Sequence, residues 1–216
     1  MAKHPAPAEP SNLSEKAYRH ILSAILDARL AAGTPIQERR IAEEIGVSRS
    51  PLRDALGRLA GEGLLVRSNT GVLAVRALSL QDYLQTLEMR ALVEPAAASL
   101  AATSVRADDV ARLEVDMARL EATDDLQESD LLSFDDDLHA LIATHCGNPF
   151  MTRYLQDMRR YTTLYERQTK WRATLHVDNG EHREILSALT SRAPEQAADA
   201  MQRHLSGIRR RVLERF

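Results

Sequence analysis

Residues 36–66, IQERRIAEEIGVSRSPLRDALGRLAGEGLLV, decide the fold of the front of this chain. The spacing of their apolar residues predicts a short helix over Glu38–Ile45, and Gly46, which lacks a Cβ, suits the tight turn that follows. Ser48 is a natural N-cap for a second helix, Arg49–Gly61, with Pro51 tolerated in its first turn. Two short helices joined by a glycine turn are typical of a helix-turn-helix.

The flanking sequence completes this unit. Apolar residues at helical spacing predict a preceding helix from Leu13 to about Leu30. Two short apolar runs, 64–67 and 72–75, are separated by the turn residues Ser68–Gly71 and predict a β-hairpin, or wing. We therefore predict a winged helix-turn-helix domain over residues 12–76, preceded by a disordered leader at residues 1–11.

The second helix of the motif carries candidate DNA contacts near its N-terminus. Arg49 and Arg53 lie one turn apart on the same face, where they can reach guanine O6/N7 and phosphates in the major groove. Ser48 and Ser50 can add phosphate contacts beside the helix N-terminus. The order of short helices, glycine turn, arginine-rich helix start and wing favours DNA binding.

Charge alone leaves an alternative open. The chain has a net charge of −3, and Arg49 and Arg53 could form a solvated face paired with Asp54 or Glu44. The charge is unevenly distributed, because residues 1–76 hold 11 Lys/Arg against 8 Asp/Glu and the remainder is acidic. A mildly basic front on an acidic body is compatible with a DNA-binding module attached to a second domain.

Composition excludes several classes of protein. The single cysteine, Cys146, rules out a disulfide framework and a cysteine-based zinc finger. No apolar run approaches the roughly 18 residues that span a bilayer, and the N-terminus lacks the apolar core of a signal peptide. We expect a cytoplasmic protein with no membrane contact. Aromatic residues are scarce at 4%, which with abundant Ala, Leu and Arg predicts a mostly α-helical chain.

The remainder of the chain, residues 80–216, predicts an antiparallel all-α bundle of about six helices. The expected helices span about 80–103, 107–122, 126–145, 150–171, 178–191 and 194 to the C-terminus. Ser79 can cap the first of these helices, and Pro95 within it predicts a break or kink.

Four residues on three of these helices suit one divalent metal ion: Asp135, His139, His182 and His204. Asp135 and His139 are four residues apart and therefore share a helix face. Imidazole nitrogens with one carboxylate suit Zn²⁺ first, and Ni²⁺, Co²⁺ or Mn²⁺ as alternatives. Chance also places histidines on helices, so the residues alone leave a set of unrelated histidines as the alternative.

The stretch quoted first resembles the DNA-binding domain of GntR-type bacterial transcription regulators, and the likeness runs from about Leu13 to Val75. This resemblance implies operator contacts by Arg39, Arg49 and Arg53, and places Gly71 at the tip of the wing. The turn Asn69–Gly71 departs from the family, which often has a basic residue there. Contacts from the wing are therefore expected to be weaker.

Three later stretches resemble the effector domain of the FadR subgroup, the FCD fold, over about Leu80–Val212: LEMRALVEPAAASLAA, FDDDLHALIATHCGN and EHREILSALTSRAPEQAADAMQRHL. Many members hold a metal with an Asp-x-x-x-His pair and two later histidines. All four positions match here, at Asp135, His139, His182 and His204. Leu138 stands where the family usually has Phe, which changes packing and not ligation.

Arg90 has two interpretations. The family often carries an arginine at this position, and a planar guanidinium suits a carboxylate, so we predict that Arg90 binds the effector. The alternative is an intrahelical pair with Glu94, four residues on.

Together these features predict a one-component bacterial transcription regulator, a repressor that binds double-stranded operator DNA as a homodimer. Its effector would be a small carboxylate bound at the metal. Two alternatives stay open: a metal-dependent hydrolase, because His/Asp zinc sites also activate water, and a DNA-binding regulator whose metal is purely structural.

Overall fold

A computed structural model describes residues 12–69, 71–123, 128–169 and 179–215. The chain forms two compact units, Met1–Leu78 and Ser79–Phe216. The predicted leader at residues 1–11 lies outside the described residues.

The first unit is a small helical fold with a two-stranded antiparallel sheet. Its elements are α1 (Asn12–Leu26), α2 (Glu38–Ile45), α3 (Arg49–Gly61), β1 (Leu65–Arg67) and β2 (Leu73–Val75). The strands pair with Val66 opposite Ala74. Gly46 ends α2 with φ 72°, in the left-handed region that glycine adopts without strain. The predicted helix-turn-helix and wing are confirmed.

The connection between α1 and α2 differs from the expectation that α1 reaches Leu30. The helix ends at Leu26, and Ala28 takes a positive φ of 56° that turns the chain. Leu30 is still buried, and its N–H donates to the carbonyl of Ala24 at 2.8 Å. The spacing of apolar residues predicted the burial of Leu30 correctly, but it did not predict the end of α1.

Residues 33–36 then extend the wing sheet along β2. The N–H of Ile36 donates to the carbonyl of Leu73 at 2.8 Å, and Pro35 bridges Ala74. The wing is thereby fixed to the segment that enters α2.

The second unit contains six described helices: α4 (Leu80–Ser104), α5 (Ala107–Ala122), α6 (Glu128–His145), α7 (Pro149–Thr169), α8 (Asn179–Thr190) and α9 (Pro194–Leu213). Ser79 caps α4 in a capping box with Asp82, as predicted. Cys146 and Gly147 end α6, with the buried Cys146 thiol donating to the carbonyl of Ala143. The mostly α fold with a winged helix-turn-helix and a helical bundle is confirmed.

Small residues bring α4 and α9 together at the centre of this bundle. Ala97, Ala98, Ala101 and Ala102 of α4 are buried, as are Ala197 and Ala200 of α9. Helix α4 also runs through Pro95 without interruption, so the predicted break is absent. Buried residues on both sides of Pro95, including Glu94 and Ala97, hold the helix in place. Within the described ranges no helix is both long and apolar enough to cross a membrane.

Candidate metal centre and DNA-binding face

Three of the four predicted metal ligands meet inside the helical bundle. Asp135 and His139 lie one turn apart on α6, and His204 reaches them from α9. Each offers one ligand atom, and these atoms lie within 4.8 Å of one another. All three side chains are buried.

His182, the fourth predicted ligand, joins the same cluster from α8. Its Nε2 lies 3.0 Å from Oδ1 of Asp135, and its ring centre lies 4.7 Å from that of His204. The Oδ1 atom of Asp135 is therefore the point at which side chains from three helices converge.

Two glutamates set the orientation of two of these histidines. The Nδ1 atom of His139 lies 2.8 Å from Oε2 of Glu94, and the Nδ1 atom of His204 lies 3.2 Å from Oε2 of Glu181. An ionised carboxylate only accepts hydrogen bonds, so both Nδ1 atoms carry the proton. In a neutral imidazole of this tautomer, Nε2 presents a lone pair.

These lone pairs face each other across 3.3 Å, the distance from Nε2 of His139 to Nε2 of His204. Two acceptors cannot bond each other, whereas a cation between them can be bound by both. Burial lowers the pKa of His204 to about 3, which keeps this imidazole in the neutral form that metals require. The donor set fits a divalent metal ion.

Arginines hold the two glutamates in their ionised form. Burial raises the pKa of Glu94, but Arg90 and His139 outweigh it and the pKa lies well below its ordinary value. At Glu181 burial also opposes ionisation, yet hydrogen bonds from Arg211 and His204 bring the pKa to about 2.

Arg159 of α7 forms an ion pair with Oδ2 of Asp135, the carboxylate oxygen that does not face the histidines. Its Nη2 donates to Oδ2 of Asp135 at 2.6 Å and also contacts Asp136. Burial lowers the pKa of Arg159, but the neighbouring carboxylates Asp135 and Asp136 raise it above its ordinary value. This guanidinium is a fixed positive charge beside the cluster, and its side chain keeps 14% exposure.

Arg90 forms the pair with Glu94 that was the alternative to effector binding. Its Nε donates to Oε1 of Glu94 at 2.5 Å and its Nη2 to Oε2 at 3.2 Å. Its Nη1 donates to Oγ1 of Thr162 at 3.2 Å, and the side chain is fully buried. The effector role of Arg90 stays a prediction.

The candidate DNA contacts lie on the surface of the first unit. Arg49 and Arg53 are exposed on α3, and Arg53 pairs with Glu38 at 3.2 Å rather than with Asp54 or Glu44. Arg39 is exposed on α2 and pairs with Glu43. These ion pairs are solvent-exposed and therefore weak, so they can be exchanged for phosphates.

Ser48 and Ser50 are exposed at the start of α3. Ser48 occupies the N-cap position with extended backbone, but its side chain makes no capping hydrogen bond. Ser48 therefore occupies the predicted N-cap position, but its side chain does not cap the helix.

Gly71 lies in the wing turn with φ 80°. Its carbonyl accepts a hydrogen bond from Nη1 of Arg67 at 3.0 Å. The wing turn, residues 68–71, contains no basic residue. The exposed Arg67 therefore places a basic side chain beside this turn.

The sequence reasoning missed the residues around the metal cluster, namely Glu94 as the partner of His139, together with Glu181, Arg159 and Arg211. Glu94 and Arg90 gave a local signal as an i, i+4 pair, but their contact with His139 depends on how α4 packs on α6. Arg211 and Glu181 are 30 residues apart and had no local signal.

Comparison with known families matches both units. Residues 13–75 match the model described as bacterial regulatory proteins, gntR family, and residues 85–207 match the FCD domain. FCD domains are associated with metal binding in general and are consistent with the FadR subgroup.

Relatives of known name resemble nearly the whole chain. The HTH-type transcriptional repressor RspR of Escherichia coli is 26% identical and covers 94% of this chain and 89% of its own. The Nta operon transcriptional regulator of Aminobacter aminovorans is 24% identical, over 84% of this chain and 86% of its own. Among solved structures, E. coli McbR/YncC superposes with a TM-score of 0.80 at 16% identity, over 94% of this chain and 98% of its own. At this identity the superposition shows the fold alone.

Proposed function

The chain belongs to the gntR family of bacterial regulatory proteins and carries an FCD domain, and from this premise we propose that it is a metal-dependent, ligand-responsive repressor. As a family member it is a DNA-binding transcription regulator. The proposal adds that it binds its operator as a homodimer and responds to a small carboxylate at a divalent metal ion. The observation that carries it is the convergence of buried imidazole and carboxylate ligands on Asp135.

In this proposal Arg39, Arg49 and Arg53 contact the operator, with Ser48 and Ser50 on phosphates. Helix α3 enters the major groove with its N-terminus leading, and Gly71 and Arg67 bring the wing close to the backbone. The exposed arginines of α2 and α3 support this assignment.

Asp135, His139, His182 and His204 would hold the ion. Zn²⁺ suits this donor set best, with Ni²⁺, Co²⁺ and Mn²⁺ as alternatives. The bound ion supplies a positive centre that attracts a carboxylate oxygen. Arg159, fixed by Asp135 and partly exposed, adds a second positive charge for the same anion.

Binding of the acid would change operator affinity by the difference in its affinity for the two states of the protein, and by no more. We assign the role of repressor from the names of two relatives, and the release of DNA by the ligand is part of the proposal itself. RspR is named a repressor. So is the D-xylose utilization operon regulator of Paenarthrobacter nicotinovorans, 36% identical over 39% of this chain.

A homodimer is supported by an apolar stripe on the surface of α4. Met89, Leu92 and Leu100 are 43%, 70% and 46% exposed, and their spacing places them on one helix face. A twofold dimer would bury this stripe and present two winged helices to a pseudo-palindromic site.

Two alternatives carry less support. The matched families and the named relatives are transcription regulators and not enzymes, so none of them supports the hydrolase interpretation. A purely structural metal remains a real competitor to the sensor, and the first experiment distinguishes the two.

That experiment compares the thermal stability of chelated and Zn²⁺-reloaded protein across a panel of small carboxylates. We expect Zn²⁺ to raise the melting temperature, and one class of acid to raise it further only with Zn²⁺ present. The variant His182→Ala with His204→Ala should lose both shifts. A Zn²⁺ shift with no response to any acid would support the structural metal, and no Zn²⁺ shift would refute the metal site.

The DNA-binding assignment is tested with Arg53→Ala. We expect operator affinity to fall by about 1–3 kcal/mol, because a bidentate base contact is lost, while the melting temperature and Zn²⁺ content stay unchanged. Arg119→Ala, on the exposed surface of α5, is the matched control. Unchanged operator affinity in Arg53→Ala would contradict the role given to α3.

A further inference from the structure

Arg90 is a fully enclosed charged side chain near the metal cluster. It is 0% exposed, on the face of α4 that packs into the bundle. Glu94 takes two of its donors and Thr162 a third. The remaining N–H donors are enclosed with the rest of the side chain, and a carboxylate ligand that used the Nε–Nη2 edge would have to displace Glu94.

Such displacement would leave Glu94 buried at 2% exposure without its cation. Removing one partner of a buried ion pair is strongly destabilising, because the remaining charge is not compensated. The geometry therefore argues against Arg90 as a residue that exchanges partners during ligand binding.

The Arg90–Glu94 pair holds Oε2 of Glu94 2.8 Å from Nδ1 of His139, where it can accept a hydrogen bond from that nitrogen. This bond keeps the proton on Nδ1 and turns Nε2 towards Asp135, whose Oδ1 lies 3.5 Å away. A carboxylate on the far nitrogen of a ligand histidine fixes its tautomer and orientation and increases its basicity.

The same arrangement occurs at His204. Arg211 donates two hydrogen bonds to Glu181, at 2.9 and 2.8 Å, and Glu181 lies 3.2 Å from Nδ1 of His204. Two histidines on different helices are thus each held by a glutamate that is itself held by an arginine.

From this repeated arrangement we propose that Arg90 is a positioning residue for the metal and does not touch the effector. It holds Glu94, Glu94 orients His139, and the three act as one unit that sets metal affinity. The proposal rests on the metal site proposed above and deepens it, since it replaces the predicted effector role of Arg90.

The test uses the full chain and measures Zn²⁺ affinity by competition with a chromophoric chelator. We expect Glu94→Gln and Arg90→Met each to weaken Zn²⁺ binding by about 10–100-fold, and the double variant to be little worse than either. Arg211→Met should show a loss of similar size through Glu181. Arg119→Met on α5 is the control and should bind Zn²⁺ like the wild type.

A spectroscopic measurement separates positioning from general damage to the fold. In ¹⁵N NMR of the Zn²⁺-free protein, His139 should show the Nδ1–H tautomer in the wild type and lose it in Glu94→Gln. The glutamine variant keeps the shape of the side chain, so it stays informative if Arg90→Met does not fold. Arg90→Lys, which can hold Glu94 by fewer bonds, should fall between wild type and Arg90→Met in Zn²⁺ affinity.

Unchanged Zn²⁺ affinity in both Glu94→Gln and Arg90→Met would overturn the proposal and leave the metal site intact. Normal Zn²⁺ affinity in Arg90→Met, with loss of the response to citrate, lactate or gluconate at saturating Zn²⁺, would overturn it in favour of the effector role. A wild-type protein that binds no Zn²⁺ would instead refute the proposed function on which it rests.

Discussion

Tyr83 shows how single residues fix the polar interior of the bundle. Its hydroxyl donates to Oε1 of Glu166 at 2.6 Å, and its ring stacks on that of Tyr165 with centres 4.5 Å apart. Burial raises the pKa of Tyr83 well above its ordinary value, and Glu166 raises it further. The hydroxyl therefore stays protonated and remains a hydrogen-bond donor.

Removing this hydroxyl should destabilise the protein even though the aromatic ring is kept. We expect Tyr83→Phe to lower the free energy of unfolding by about 1–3 kcal/mol, because the buried Glu166 loses a strong donor. Urea denaturation monitored by circular dichroism measures the loss. Thr86→Ala, which removes an exposed hydroxyl on the same helix, should change it by less than about 0.5 kcal/mol. Equal stabilities of Tyr83→Phe and wild type would contradict the importance of this bond.

Residues of this kind mark the limit of sequence interpretation. The pairing of Asp135 with His139 could be predicted from the sequence, because a helix places residues four apart on one face. The roles of Glu94 and Glu181 could not be predicted, because their contacts with histidines depend on the rotation of neighbouring helices. Arg90 lay between these cases, since its pair with Glu94 is local but its link to His139 is not.

At the scale of elements, Gly207 of α9 lies directly against the side chain of Glu181 on α8. A Cβ on Gly207 would lie 2.1 Å from Oε1 of Glu181, the carboxylate that orients His204. The absence of a side chain at this position is what lets Glu181 reach both His204 and Arg211.

The variant Gly207→Ala should therefore weaken the metal site without touching a ligand. We expect Zn²⁺ affinity to fall by about tenfold or more, because Glu181 must move away from His204. Gly57→Ala is the matched control, since Gly57 is also helical and a Cβ there meets no atom within 4 Å. It should leave Zn²⁺ affinity unchanged. Wild-type affinity in Gly207→Ala would show that Glu181 does not position His204.

Element boundaries were predictable where the sequence carries a backbone signal. Gly46 and Ser79 marked the ends of α2 and the start of α4 correctly, because each has a specific backbone role. The end of α1 was missed, since Ala28 takes a positive φ with no glycine to announce it. The pairing of residues 33–36 with β2 was also missed, because sheet extension depends on contacts distant in sequence.

At the scale of the whole molecule, the proposed homodimer would use the apolar stripe of α4 to bring two DNA-binding units together. Linking two modules converts the second binding event into an intramolecular one and raises operator affinity greatly. The proposed repressor therefore depends on this surface as much as on α3.

Leu92→Asp tests that dependence. We expect a monomer in sedimentation velocity and a loss of operator affinity on the order of 100-fold, while binding to a single half-site is unchanged. Val115→Asp is the matched control, because Val115 on α5 is 69% exposed against 70% for Leu92. The control should sediment and bind like the wild type. If the Leu92→Asp variant is still a dimer, the dimer interface does not lie on this stripe.

Cys146, which ends the helix that carries Asp135 and His139, makes the opening of that helix observable. It is the single thiol of the chain and it is buried. A thiol reagent can modify it only when this end of α6 separates from its neighbours, so the labelling rate measures how often such local unfolding occurs. Ions or acids that tighten the bundle would slow the labelling, and the wild-type sequence would thus report its own occupancy without an engineered label.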